Sequence, residues 1–162
     1  MKENTIIAFI IFILCISITS DGFGATRYAT SVIELKQFEY TDTNPNEALA
    51  LEDTHSESDF VRLGLSGYII VEFACPVINI AGHDIEIIET TWGTYPLETA
   101  EIYASKDMIT WEDLGQATNK SGASNCNSTT FDLKNLTWAK YIKVIDTTVN
   151  QGTGGFDLNA IG

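Results

Sequence analysis

Basic residues, histidine, cysteine and proline are all scarce in this chain. Its 162 residues hold 9 lysines and arginines against 22 aspartates and glutamates, a formal net charge of −13. A surface of that sign repels phosphate backbones and anionic lipid headgroups, which argues against nucleic-acid partners. Only two histidines occur, His55 in the acidic stretch "EDTHSESD" and His83 in the turn "AGHD". Neither stands in an HExxH, Ser-His-Asp or Cys-His pattern that spacing can certify. A glycine-rich phosphate loop and a CxxC pair are also missing. Acidic pairs of the kind that hydrolyse glycosides cannot be picked out by position when so many carboxylates are available. The expectation is a protein that is not an enzyme.

Long apolar runs are lacking too, with one exception at the N-terminus. Met1-Lys2-Glu3-Asn4 leads into "TIIAFIIFILCISI", which ends at Ile18, and small or polar residues follow as far as Ala25 apart from Phe23. A weakly positive start, a short apolar core and a small-residue exit describe a secretory signal peptide. The run is shorter than the ~20 residues of a membrane-spanning helix. Cleavage after Ser20 or after Gly24 leaves small residues at the critical positions; a retained anchor helix is the alternative. Cys15 follows Leu14, which is too large for a lipoprotein acceptor site, so no lipid anchor is expected. Residues 1–24 are assigned to the signal peptide and 25–162 to one domain, an ordinary domain length. The mature chain is expected to be secreted, periplasmic or on the cell surface, with no membrane span. Losing Lys2, Glu3 and Asp21 leaves 8 basic and 20 acidic residues, a net charge of −12.

Two of the three cysteines, Cys75 and Cys126, stay with the exported portion. Export places them where disulfides persist. A bridge would close a loop of about 50 residues and contribute roughly 3–4 kcal/mol in the chain-entropy picture. A bridge and two separate thiols are both compatible with the spacing.

What the chain does have is strand signal. "YATSVIELKQFEY" is rich in β-branched and aromatic residues and opens the mature fold. A polar, acidic stretch from Thr41 to Asp59 follows, with Asn44-Pro45-Asn46 as its clearest turn; "EALALED" within it suits one helical turn or an ordered loop. "FVRLGLSGYIIVEFACPVIN" gives two strands around Gly64 and Gly67, the second ending before Pro76. In "GHDIEIIETTW", Ile85, Ile87 and Glu89 share one face of a strand, and Asp84, Glu86 and Ile88 the other. "AEIYAS" and "ITWEDLG" flank a tight turn at Ser105, Lys106 and Asp107. "NKSGASNCNST" reads as a polar loop, "TFDL" and "WAKYIKVID" bring the chain back, and "FDLNAIG" is the terminal strand. No stretch after Ala25 sustains a 3.6-residue apolar period over three turns. Around eight short strands at even spacing predict an all-β antiparallel sandwich.

"AEIYASKDMITWEDLG" and "WAKYIKVID" resemble the corresponding segments of galactose-binding-like (discoidin-type) jelly rolls, in which a Ser-x-Asp-Gly-x-x-Trp hairpin is common. Met108 replaces the usual Gly. The likeness is strongest to such domains in bacterial exported and cell-surface proteins, through Asp84–Glu89, Phe131-Asp132-Leu133 and the closing "GFDLNAI", where Asn159 stands in place of the usual Asp. It covers about Leu63 to Ile161. The resemblance implies a jelly roll and a non-catalytic binding module, recognising carbohydrate or a cell surface; a structural matrix protein that engages a protein partner is the alternative. It also implies that Trp111 packs inward at one end of the sandwich, and that Trp138 packs in the core or at an edge. Related jelly rolls often hold one structural calcium ion where an early strand meets the terminal one. Asp84, Glu89, Asp146 and Asp157 are the candidate ligands here, with water-facing or turn-bonding carboxylates as the plain alternative. Trp92 and Tyr95 lie in "ETTWGTYPLET", a Gly- and Pro-bearing loop that could offer a platform for a sugar ring, or fold back on the sheet edge. The pattern Asn-x-Ser/Thr occurs at Asn119, Asn127 and Asn135; given the bacterial likeness these are read as coincidence.

Overall fold

The computed structural model describes residues 28–38, 44–49, 60–91, 96–119, 125–149 and 154–162, except the side chains at 47, 48 and 125. The signal peptide expected at 1–24, and Trp92, Tyr95 and His55, lie outside the described residues. None of the described helices is long and apolar enough to cross a membrane.

Nine strands form among the described residues: β1 (Ser31–Lys36), β2 (Val61–Arg62), β3 (Tyr68–Ile78), β4 (Ile85–Thr91), β5 (Thr99–Ser105), β6 (Trp111–Thr118), β7 (Asn125–Phe131), β8 (Trp138–Asp146) and β9 (Asp157–Ile161). They make two sheets, one of order β1-β3-β8-β5-β6 and one of order β2-β9-β4-β7. Every pairing is antiparallel. The alternation along each strand turns one side inward: Ile69, Val71 and Phe73 from β3, Ile85 and Ile87 from β4, Ile102 from β5, Ile142 and Val144 from β8, and Phe156, Leu158 and Ile161 from the C-terminal strand and its approach form one core. Burying a side chain of this size stabilises by roughly 1.5–3 kcal/mol, so this interlayer cluster supplies most of the driving force. The expected antiparallel sandwich is what forms.

The four-stranded sheet is covered on its second face as well. Ile88 is 4% exposed and Ala160 fully buried. A 3-10 turn at Pro45–Ala48, with the Asn44 side chain accepting from the Asn46 N–H at 3.1 Å, delivers Leu49 to a backbone bridge with Ala160. This turn falls on the Asn44-Pro45-Asn46 signal, whereas most of "EALALED" lies outside the described residues.

Two element boundaries differ from the expectation. β3 runs through Pro76 to Ile78, but its ladder with β8 is irregular between Glu72 and Val77. A proline lacks only an N–H, and at such a bulge no partner is waiting for it. β7 begins at Asn125, inside the polar stretch expected to be a loop. It is the edge strand of its sheet, and the complete ladder with β4 supplies backbone hydrogen bonds whatever its side chains prefer.

Candidate functional site

The sandwich has two ends of different character. At one end lie the β3–β4, β5–β6 and β7–β8 connections, here called the hairpin end. Its polar groups are spent on one another. Ser105 Oγ donates to the Thr110 carbonyl at 2.7 Å, and Asp107 Oδ1 accepts from the Ile109 and Thr110 N–H groups, both at 2.9 Å. Those amides hold the Asp107 carboxyl below its ordinary value of 3.8. Met108 sits at φ +61°, the left-handed region in which glycine is at ease, which is the physical reason a glycine is usual there. Asp84 accepts from the Ile80 N–H at 2.9 Å and the Leu133 N–H at 3.0 Å. Asn79 Nδ2 donates to the Leu136 carbonyl at 2.7 Å.

Trp111 opens β6 opposite Ser105. Because Ile102 and Ala104 face the core, Tyr103, Ser105 and hence Trp111 face outward. The indole is half-buried, with the Lys143 ammonium 5.9 Å from its ring centre; the same Lys143 stands 4.8 Å from Tyr68. The inward packing expected of Trp111 is therefore corrected to packing on the outer face. Trp138, the first residue of the central strand β8, is half-buried, with the Lys106 ammonium 5.3 Å from its ring centre.

An open groove of about 420 Å³ at this end is lined by Phe73, Cys75, Pro76, His83, Asp84 and Glu86 among others. Cys75 and Cys126 form no disulfide. The reason is positional. Cys75 is exposed on β3 at the hairpin end, whereas Cys126 is half-buried at the start of β7 in the other sheet, with Sγ 3.5 Å from Thr90 Oγ1.

The opposite end, the loop end, carries the β2–β3, β4–β5, β6–β7 and β8–β9 connections, and charge is buried beneath them. Glu89, Glu98, Asp146 and Asp157 are each 1–2% exposed. Asp146 accepts from the Thr148 N–H at 2.6 Å and from the Phe156 N–H. Burial raises its carboxyl, and those two amides oppose the rise. Gly155, at φ +89°, lies so close that a Cβ there would stand 2.1 Å from Asp146 Oδ2. Asp157 pairs with Arg62 Nε at 3.3 Å, yet burial outweighs the guanidinium and lifts the carboxyl to about 7. Glu89 is lifted furthest, to about 9, by burial first and then by Glu98 and Asp157. Among the described residues neither oxygen makes a hydrogen bond of standard geometry, while the Asn127 side chain lies close enough to oppose the rise. Glu98 is held by Asn119, whose Oδ1 accepts from the Glu98 N–H at 2.8 Å and whose Nδ2 donates to Glu98 Oε2 at 3.4 Å.

The four carboxylates suggested for calcium do not make a site together. Asp84 lies at the far end of β4 from Glu89, and Asp84, Asp146 and Asp157 are committed to backbone amides or to Arg62. Among the described residues, no three His, Cys, Asp or Glu side chains are grouped so as to hold a metal ion. The residues missed from sequence are Glu98 and Asn127, which the fold brings to Glu89; their signal is weak, since nothing in "PLETAEIY" or "NCNST" marks them as buried. Of the three Asn-x-Ser/Thr asparagines, Asn119 and Asn127 are buried, 1% and 9% exposed, which closes them to modification in the folded chain.

With the geometry in place, likeness to solved structures is informative about the fold. The family 32 carbohydrate-binding module of AlyQ, solved in complex with 4,5-unsaturated mannuronic acid, superposes with a TM-score of 0.56 at 12% identity, over 82% of this chain and 95% of that one. A pectin-binding carbohydrate-binding module gives 0.55 at 17% identity, over 82% and 89%. The first family 32 module of a family 31 glycoside hydrolase from Clostridium perfringens gives 0.55 at 16%, over 85% and 96%. No protein-family model and no curated protein matches the chain. The fold is the galactose-binding-like (discoidin-type) jelly roll, as the hairpin and the closing strand implied.

Proposed function

We propose that the chain is an exported, non-catalytic carbohydrate-recognition module that binds with the loops at its loop end. The observation that carries this reading is the shared jelly roll, which extends over four-fifths of the chain in modules whose names state carbohydrate binding. Trp92 and Tyr95 are the stacking residues proposed. They fall in the β4–β5 connection, and a sugar presents a C–H face that packs on an aromatic ring while its hydroxyls meet polar side chains. The net charge of −12 left after loss of residues 1–24 favours some sugars over others. Uronic-acid polymers would meet like charge, so a neutral or amino-sugar glycan is the ligand class proposed for this chain.

The test is a glycan array that spans neutral, amino-sugar and uronate polymers. Retention on neutral or amino-sugar glycans is the expected result. A chain that ignores every glycan but captures a cell-surface protein would replace this reading with the matrix-protein alternative. Turnover of a polysaccharide that depends on one carboxylate would make it an enzyme.

A further inference from the structure

The two sheets treat their outer faces differently. That of the four-stranded sheet is closed, with Ile88 and Ala160 buried there. That of the five-stranded sheet carries rings. Strand alternation turns Tyr68 of β3, Tyr141 of β8, Tyr103 of β5 and Trp111 of β6 outward on four adjacent strands. All four are half-buried, so each ring keeps part of its surface in water. Two of them are braced from within the sheet. Tyr68 Oη donates to Glu34 Oε1, and Tyr103 Oη donates to Glu101 Oε2 at 2.7 Å. The Lys143 ammonium stands 4.8 Å from the Tyr68 ring centre and 5.9 Å from that of Trp111, and makes no ion pair among the described residues. Lys143 is on β8 and Trp111 on the edge strand β6, so the indole leans inward over β5. Charge is nearly balanced here: Lys36, Lys143 and Lys140, which reaches Glu72 at 2.7 Å, stand against Glu34, Glu72, Glu101 and Asp113, in a chain whose net charge is −13. Exposed rings gathered on one face mark a contact surface, and balanced charge suits an uncharged partner.

We propose that this outer face binds an internal run of a neutral, β-linked polysaccharide, with Tyr68, Tyr103 and Trp111 stacking on its sugars and Lys143 donating to a hydroxyl between them. The ligand chemistry follows from the surface. Sugars of gluco or xylo configuration carry their substituents equatorially, so each ring offers a bare C–H face for an aromatic side chain. Their hydroxyls donate to the carboxylates of the face and accept from the ammonium. Adjacent strands lie ~4.8 Å apart, so the rings from β3 to β6 extend over roughly 14 Å. A glycan of one or two sugars does not span that distance, and a longer chain does. The face is separate from the loop end, where Trp92 and Tyr95 are proposed to hold a short glycan, and it does not rest on that reading.

Calorimetric titration with cellohexaose, xylohexaose, glucose, xylose and a hexamer of galacturonic acid tests the face. A neutral hexasaccharide is expected to bind, and its parent monosaccharide to bind at least about tenfold more weakly. W111A and Y103A are expected to weaken the hexasaccharide by about tenfold or more, and W92A to leave it within about twofold. No binding of either neutral hexasaccharide would overturn the proposal, whatever the array shows for the loop end. Loss in W92A with full affinity in W111A and Y103A would overturn it as well and leave the loop end as the binding surface. Tighter binding of the galacturonate hexamer would overturn the neutral class. Amide chemical-shift mapping on the unsubstituted chain needs no variant. Shifts at Tyr68, Tyr103, Trp111 and Lys143 are expected, and shifts confined to the loop-end connections contradict the site.

Discussion

Asp107 and Glu89 are carboxylates at opposite ends of the same sandwich, and the fold treats them in opposite ways. Asp107 is met by the Ile109 and Thr110 amides of its own turn, and its carboxyl is held low. Glu89 is enclosed between layers, met by further acids, and pushed up to about 9. A turn satisfies its own charge within a few residues. A charge buried by long-range packing has to find its partner in tertiary structure or outside the chain. The hairpin end satisfies its own charges, and the loop end is the end proposed above to bind.

That contrast can be broken most sharply at Gly155. Alanine there would force a Cβ to 2.1 Å from Asp146 Oδ2 at a positive φ, so G155A should lower stability by on the order of 3 kcal/mol in urea unfolding. Stability within about 0.5 kcal/mol of the unsubstituted chain would mean the loop end is looser than described.

The pH dependence of the two ends should run in opposite directions. The folded Glu89 carboxyl keeps its proton up to about 9, whereas in the unfolded chain it ionises near 4.5. The native state then binds more protons across that window, so its contribution to stability is present below 4.5 and lost as pH rises toward 9. E89Q should flatten that decline; an unchanged slope would show that Glu89 is solvated. Asp107 has the reverse sign. Its contribution is present above the ordinary 3.8 and is lost as pH falls below that value, and D107N should remove the acid-side loss while leaving the alkaline side intact.

The smallest effect expected is a gain. Met108 holds φ +61°, so M108G should relieve the left-handed strain and stabilise by up to about 1 kcal/mol, read as a small rise in the denaturation midpoint. A loss would mean that the Met108 side chain contributes more packing than its 41% exposure suggests.

Much of the architecture could be read from the chain. Period-two alternation in "DIEIIET" and the paired flanks of the Ser105–Asp107 turn pointed to an antiparallel sandwich with a hairpin at that turn. What escaped was whatever depends on a neighbour far away in sequence. Pro76 reads as a strand end, yet a bulge against β8 absorbs it. "NCNSTTF" reads as a loop, yet β4 recruits it as an edge strand. Trp111 reads as core because indoles bury well, yet the bulge between Ile102 and Tyr103 and the cross-strand Lys143 set it on the outer face. The candidate site was half legible. Glu89 stood out through its strand position, but Glu98 and Asn127 meet it only because two sheets fold together, and a single acidic residue before "TAEIY" carries no sign of that meeting.

The division into scaffold end and binding end is tested most directly by titrating a neutral or amino-sugar glycan retained on the array against two variants in parallel. W92A alters the loop end, and I109S alters the hairpin tip, where Ile109 is 83% exposed. The account predicts that W92A loses affinity by about tenfold or more at unchanged Tm, while I109S binds as the unsubstituted chain does. Full affinity in W92A together with loss in I109S would place recognition at the other end and contradict it.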